Sequence, residues 1–127
     1  MDMYEGRIMH ATKYNELDNE LHSFIEQYVD SFIKWDLVAY FHYNAGARGT
    51  PEEIAGKLGR KTEDIKEALE MLDKKGLLSH QGDAGDIYFY QAPPDLKEKV
   101  TSFCEALEDR DKRLEILAKL LRLKTTR

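Results

Sequence analysis

Two short helix-forming segments joined by a tight turn restrict the folds open to this chain more than any other feature. The first begins at Thr50-Pro51-Glu52-Glu53, which places a hydroxyl at the N-cap and proline at the first helical position. Glu53 stands three residues after the cap, the spacing of a capping box. Gly59 follows the apolar residues of this segment and can take the left-handed conformation that ends a helix.

The second helix is predicted over Thr62–Lys75. Thr62 is expected to cap it, and Glu63 and Asp64 are expected in its first turn, where acids interact favourably with the helix dipole. Gly76 is expected to stop it. The predicted core face consists of residues that recur at helical spacing: Ile65, Ala68, Leu69 and Leu72.

A β-hairpin is predicted directly after this helix. The runs Leu77–His80 and Ile87–Gln91 are strand-like, and the Gln81–Asp86 loop between them is rich in turn-forming residues. Pro93-Pro94 closes the unit, since proline cannot continue a β-ladder. Helix, turn, helix and hairpin in this order predict a winged helix-turn-helix over residues 50–92.

The segment TPEEIAGKLGRKTEDIKEALEMLDKKGLLSHQ resembles the core of winged-helix regulators of the MarR and ArsR type. In those families a recognition helix ends in a Lys/Arg-Gly-Leu step into the wing, and Lys75-Gly76-Leu77 matches that step. The resemblance implies transcription regulation by a homodimer. Its two recognition helices would lie one duplex turn apart.

Helices are predicted on both sides of this core, so the expected fold class is mainly α with a small β-hairpin wing. Residues 14–49 keep a helical rhythm of apolar positions, either as one bent helix or as two, and 44–49 is expected to be a loop. The stretch 32–43 is apolar nearly all round and is expected to be buried. With 127 residues, the chain is predicted to form a single domain.

The C-terminal segment 95–124 is predicted to be one long helix, with Asp95 and Glu98 near its start. Arg110 interrupts a heptad-like seam that otherwise consists of seven apolar residues. Two interpretations stay open, packing against the same domain and homodimerisation. The predicted interface residues are Leu96, Val100, Phe103, Leu107, Leu114, Leu117 and Leu121.

Composition narrows the classes of protein to which this chain could belong. A hydrophobic content of 42% with 34% charged residues is typical of a globular protein, and no apolar run reaches the length of a membrane span. One cysteine and no signal-peptide core favour a cytoplasmic location. No catalytic motif or phosphate-binding loop is present in the sequence, so neither an enzyme nor a cofactor is expected.

Double-stranded DNA is the first partner predicted, with the helix 62–75 in the major groove and the 81–86 wing beside the backbone. The chain nevertheless carries 24 acidic against 19 basic residues, and DNA affinity depends largely on neutralising phosphates. The alternative is a winged helix that binds another protein through an acidic recognition face. The predicted DNA contacts are Lys57, Arg60, Lys61, Thr62, Lys66 and Gln81.

The sequence offers few histidine and cysteine residues for a metal site or for redox chemistry. The four histidines, at positions 10, 22, 42 and 80, do not have metal-ligand spacing, so no metal site is predicted. His42 is expected to be a packed residue of an aromatic helix. Cys104 is expected to be a small buried apolar residue, with a redox role as the weaker alternative.

Overall fold

A computed structural model describes residues 18–82 and 86–125. Within them, six helices accompany a three-stranded antiparallel sheet, so the coarse expectation of a mainly helical chain with a small sheet is confirmed. The predicted helical residues 14–17 and the wing residues 83–85 lie outside the described part. The elements are α1 Asn19–Tyr28, α2 Phe32–Tyr43, β1 Arg48–Gly49, α3 Pro51–Leu58, α4 Thr62–Lys74, β2 Leu78–Gln81, β3 Ile87–Tyr90, α5 Pro94–Glu108 and α6 Arg110–Thr125.

The N-terminal helical region consists of two helices. The helix α1 ends before Val29, and Ser31 caps α2 by accepting a hydrogen bond on its Oγ from the Lys34 amide at 3.2 Å. Asp30 adds an ion pair with the Lys34 ammonium at 2.9 Å. A serine cap therefore makes the break that neither glycine nor proline marks in the sequence.

The helix α3 begins with the predicted capping box. The Glu53 amide donates to the Thr50 hydroxyl at 3.2 Å, and the Thr50 amide donates to the Glu53 carboxylate at 2.9 Å. Gly59 ends the helix in the left-handed conformation, with a φ of 67°. The prediction for α4 was wrong in one detail. Lys61 occupies the N-cap position of that helix, Thr62 is its first helical residue, and no side chain caps it.

The two threonines provide a matched pair of cap mutations. Thr50→Ala is expected to lower the free energy of unfolding by about 1 kcal/mol, because it leaves the Glu53 amide without its capping oxygen. Thr62→Ala is expected to cost clearly less, because Thr62 caps nothing. Urea denaturation of both variants measures the difference. Equal losses would contradict the capping assignment.

The sheet has the order β1-β3-β2, with β3 in the centre. The hairpin β2–β3 is predicted by the sequence, and it pairs Leu78 with Tyr90 and Gln81 with Ile87. The strand β1 is not predicted, because residues 44–49 were expected to be a loop. It pairs Gly49 with Tyr88, and a Cβ at Gly49 would come within 3.3 Å of the Ile54 side chain. Glycine therefore permits the close approach of β1 to α3.

The core joins the helices on both sides of residues 50–92 to α3 and α4. From α4 it receives the four residues predicted for its apolar face, and from α2 it receives Leu37, Val38 and Phe41. The helix α5 packs against α1 and α2. Phe103 on α5 is completely buried, with ring centroids 5.6 Å from Phe24 and 6.4 Å from Trp35.

The expectation of one helix over 95–124 was wrong. The chain breaks at Asp109, whose backbone is extended, with φ −92° and ψ 123°. Its carboxylate accepts a hydrogen bond from the Lys112 amide at 3.1 Å, which caps the start of α6. Beyond the break, the predicted seam no longer faces the core. The buried apolar residues of α6 are Ile116 and Leu120 instead.

No helix in residues 18–82 and 86–125 is both long and apolar enough to cross a membrane.

Candidate docking surface

The residues predicted to contact DNA are grouped mainly around the turn between α3 and α4. Lys57, Lys61 and Lys66 are exposed, and Thr62 is half-buried. Arg60 is engaged within the molecule, because its Nε donates to the Asp36 carboxylate of α2 at 2.6 Å. Gln81 is exposed at the end of β2, on the hairpin and apart from this turn in sequence.

The outward face of α4 is acidic. Its inward face is occupied by the buried residues between Ile65 and Leu72. The exposed carboxylates of Glu63, Glu67 and Glu70 recur at spacings of four and three, so they form one stripe on the opposite side of the helix. Lys66 and Lys74 are the exposed bases that accompany them. This helix therefore presents a net negative charge to solvent.

Next to this face lies a groove between α2 and α4, here named the α2/α4 groove. It encloses about 370 Å³. Ile33, Ala68 and Met71 supply apolar atoms, and carboxylates stand beside them. Its lining residues are Asp30, Ser31, Ile33, Lys34, Asp64, Glu67, Ala68 and Met71.

Met71 is one of several residues of this groove that were not predicted from the sequence. Its side chain is 37% exposed although it is large and apolar. Its position in the sequence indicated a place at the edge of the apolar face of α4, since Met71 follows Ala68 by three positions and Glu67 by four. An exposed methionine beside acids suits an adaptable contact with an apolar anchor.

The hairpin is tied to α4 by a charged pair. The His80 Nδ1 of β2 contacts the Asp73 carboxylate of α4, and the His80 ring lies 5.5 Å from the Tyr88 ring. The hydrogen bond to Asp73 is the main reason that the pKa of His80 is raised above 6.5, and the Asp73 charge adds to it. The pair thus fixes one end of α4 to the sheet while His80 is protonated.

This pair makes stability depend on pH in a defined direction. Because the folded pKa of His80 exceeds the unfolded one, the stabilisation is complete below the unfolded pKa, near 6.5. It is lost as the pH rises through the raised folded pKa. We expect Asp73→Asn to lower the His80 pKa in an NMR titration. Asp86→Asn should lower it less, since Asp86 contributes only a weaker charge effect. An unchanged pKa in Asp73→Asn would rule out the pair.

The predicted dimer residues separate into two groups. Leu96, Val100, Phe103 and Leu107 are buried in the core of their own chain, so they are already covered. Leu114, Leu117 and Leu121 on α6 are exposed, at 51%, 36% and 48%. Only this second group remains available for contact with another molecule.

Cys104 is completely buried, and burial raises its pKa to about 12. Since the thiolate is the reactive form, we expect the native protein to react with iodoacetamide at pH 8 only as fast as it unfolds. Unfolding in urea should expose the thiol and restore ordinary reactivity. Rapid labelling of the native protein would contradict this expectation and reopen the redox alternative.

His42 is half-buried, and its ring lies 4.9 Å from the Tyr43 ring, in line with the expected packing role. No group of three or more His, Cys, Asp or Glu side chains that could hold a metal ion occurs in the described ranges. His10 lies outside them. The absence of enzymatic activity stays a prediction.

Comparison with known proteins gives no match to a family model, to a curated protein or to a solved structure.

Proposed function

We propose that this protein is a winged-helix docking module that binds a basic segment of another protein through the outward face of α4 and the α2/α4 groove. The observation that carries the proposal is the exposed acidic stripe of Glu63, Glu67 and Glu70. A surface of this sign repels nucleic-acid phosphates and attracts lysine and arginine side chains.

The winged-helix assignment rests on the order and pairing of the elements. The helices α3 and α4 are joined by Gly59-Arg60-Lys61 and pack on each other, and the β2–β3 hairpin follows directly. The strand β1 completes a three-stranded sheet ahead of α3. In a winged helix of this order α4 would be the recognition helix, which is why its exposed face decides between the two partners.

The α2/α4 groove gives the contact an apolar centre. Met71, Ile33 and Ala68 can receive an apolar anchor, while Asp64 and Glu67 stand beside it to receive basic groups. An amphipathic helix with leucines on one face and lysines or arginines at its edges has this chemistry. The apolar anchor would supply most of the affinity, and the charges would select the partner.

Duplex DNA binding is the second candidate, and one observation favours it. Lys57, Lys61 and Lys66 are exposed around the α3–α4 turn, where a duplex could be contacted. Arg60 is the member of the predicted set that is already paired, with Asp36. The carboxylates of α4 oppose this candidate more strongly than three lysines favour it.

Amide chemical-shift mapping tests the docking proposal. A synthetic amphipathic peptide of leucine and lysine, free of aromatic residues, is titrated into ¹⁵N-labelled protein. We expect the shifts to concentrate on the exposed positions of α4 and on residues 30–34. Shifts confined to the hairpin or to α6, or none at all, would refute the docking site. A peptide of equal composition but scrambled apolar spacing is the control.

A further inference from the structure

The helix α6 exposes a continuous stripe that the other elements in residues 18–82 and 86–125 leave uncovered. Leu114, Leu117 and Leu121 form its apolar centre, and Arg110 and Lys124 extend it at both ends with the same alternation of four and three. All five residues are exposed, whereas Ile116 and Leu120, on an adjacent side of α6, are buried in the core. The α6 stripe is therefore apolar in the middle and cationic at its ends.

A groove of opposite character lies between α1 and α5, and it encloses about 530 Å³. Leu21, Phe24 and Ala106 close its floor. This α1/α5 groove contains two lysines, Lys99 and Lys112, of which the second belongs to the first turn of α6. Its rim carries six carboxylates: Asp18, Glu20, Asp95, Glu98, Glu105 and Asp109.

We infer that the α1/α5 groove receives the α6 stripe of a second copy of this chain, and that the exchange is reciprocal. Charge complementarity identifies the occupant. The exposed charged residues of α6 are five bases and one acid, since Lys119 is buried and paired with Glu26 of its own chain. The groove is lined by six acids and two bases, one of which is Lys112 at the start of α6 itself. Oppositely charged surfaces of this kind select each other and fix their register.

Length and position agree with this arrangement. The sixteen residues of α6 extend about 24 Å, and the groove follows α5 from Asp95 to Asp109 over roughly 21 Å, both at 1.5 Å per residue. Because the groove ends where α6 begins, each copy holds its stripe next to its own groove. A two-fold axis near Asp109 then places the α6 stripe of each copy in the α1/α5 groove of the other and closes the assembly as a dimer.

Direct pairing of two α6 helices is less favourable. It would bury the same leucines, but it would bring together two helices whose exposed charged residues are five bases and one acid each. Like charges facing each other oppose association. The dimer interface predicted from the heptad is thus replaced by a contact between α6 of one copy and α1 and α5 of the other.

Charge reversal at both surfaces tests this dimer in the full-length chain. Sedimentation equilibrium should give twice the 14.8 kDa chain mass for the wild type. Glu98→Lys/Glu105→Lys leaves four acids and four bases in the groove and so removes its net negative charge, and Arg110→Glu/Lys124→Glu makes the stripe acidic. Each double variant alone should be monomeric at the concentration where the wild type is dimeric, with at least a ten-fold weaker association. An equimolar mixture of the two variants should dimerise again, since the new groove lysines of one variant then meet the acidic stripe of the other, whose acidic groove receives a cationic stripe.

The other outcomes overturn the inference. A monomeric wild type would show that the groove does not receive a second copy, and it would leave the groove to a basic segment of another protein. A groove variant that remains dimeric would point to pairing of α6 with α6. A mixture that stays monomeric would show that the two surfaces do not face each other. The α1/α5 groove and the α2/α4 groove share no lining residue, so any of these results leaves the docking proposal to its own test.

Discussion

Replacing Phe103 by alanine is expected to lower the free energy of unfolding by about 3–5 kcal/mol. The ring is completely buried where α5 crosses α1 and α2, and it contacts the rings of Phe24 and Trp35. Truncation would leave a cavity among rigid aromatic neighbours, which cannot collapse to fill it. Urea denaturation followed by tryptophan fluorescence measures the loss, because Trp35 is the only tryptophan in the sequence.

Leu114→Ala is the matched control, because Leu114 belongs to the same predicted seam but is 51% exposed. Measured at a dilution that keeps the protein monomeric, it should change the unfolding free energy by no more than about 0.5 kcal/mol. A similar loss in both variants would mean that α6 is buried in the monomer. The arrangement of α5 and α6 described above would then be incorrect.

Reversing the charge of Glu63 and Glu67 together is expected to weaken the binding of a basic amphipathic peptide by about ten-fold or more. Each exposed ion pair contributes only about 0.2–1 kcal/mol, but reversal replaces attraction by repulsion at two adjacent positions. Both side chains are exposed and neither forms part of the core, so the fold should persist. Fluorescence anisotropy of a labelled peptide measures the change, and circular dichroism verifies the helices.

The variant Glu98→Lys/Glu105→Lys carries the same change in net charge on a different face, in the α1/α5 groove. Its affinity for the peptide should remain close to that of the wild type. If both variants lost affinity equally, the peptide would be responding to the overall charge of the protein rather than to a site on α4.

Local signals in the sequence were sufficient to predict α3, α4 and the hairpin. Each of these elements is specified by its neighbours in the chain, as with the Thr50–Glu53 capping box, the left-handed Gly59 and the apolar face from Ile65 to Leu72. Such features are short-range, so they can be recognised in the sequence without knowledge of the tertiary contacts. Even here, the position of the α4 cap was predicted one residue too late.

Features that depend on distant partners could not be predicted in this way. The strand β1 has two residues, and it exists because Gly49 can approach α3 and because the Arg48 guanidinium stacks on the Phe89 ring at 4.3 Å. In the sequence, Asp109 resembles any polar position within a helix, so the break there could not be predicted. It turns α6 so that Ile116 and Leu120 face the core while the predicted seam faces outward.

The candidate site was predictable in its charges but not in its shape. The acids of α4 are visible in the sequence, and so is the conflict between them and a DNA duplex. The α2/α4 groove is not visible, because Ile33 and Met71 are separated by 38 positions and meet only through the packing of α2 on α4. The pairing of Arg60 with Asp36 likewise joins distant positions, and it removes a base that the sequence alone assigned to DNA.

Binding of two labelled probes across a salt series tests the central claim most directly. The probes are a random-sequence DNA duplex and the basic amphipathic peptide, each titrated with the wild type and with Lys61→Glu/Lys66→Glu. We predict that the peptide binds, that this binding weakens as salt increases, and that it survives the lysine reversal. The duplex should show no binding even at low salt. Duplex binding that falls steeply with salt and is abolished in Lys61→Glu/Lys66→Glu would contradict the docking function and establish a DNA-binding one.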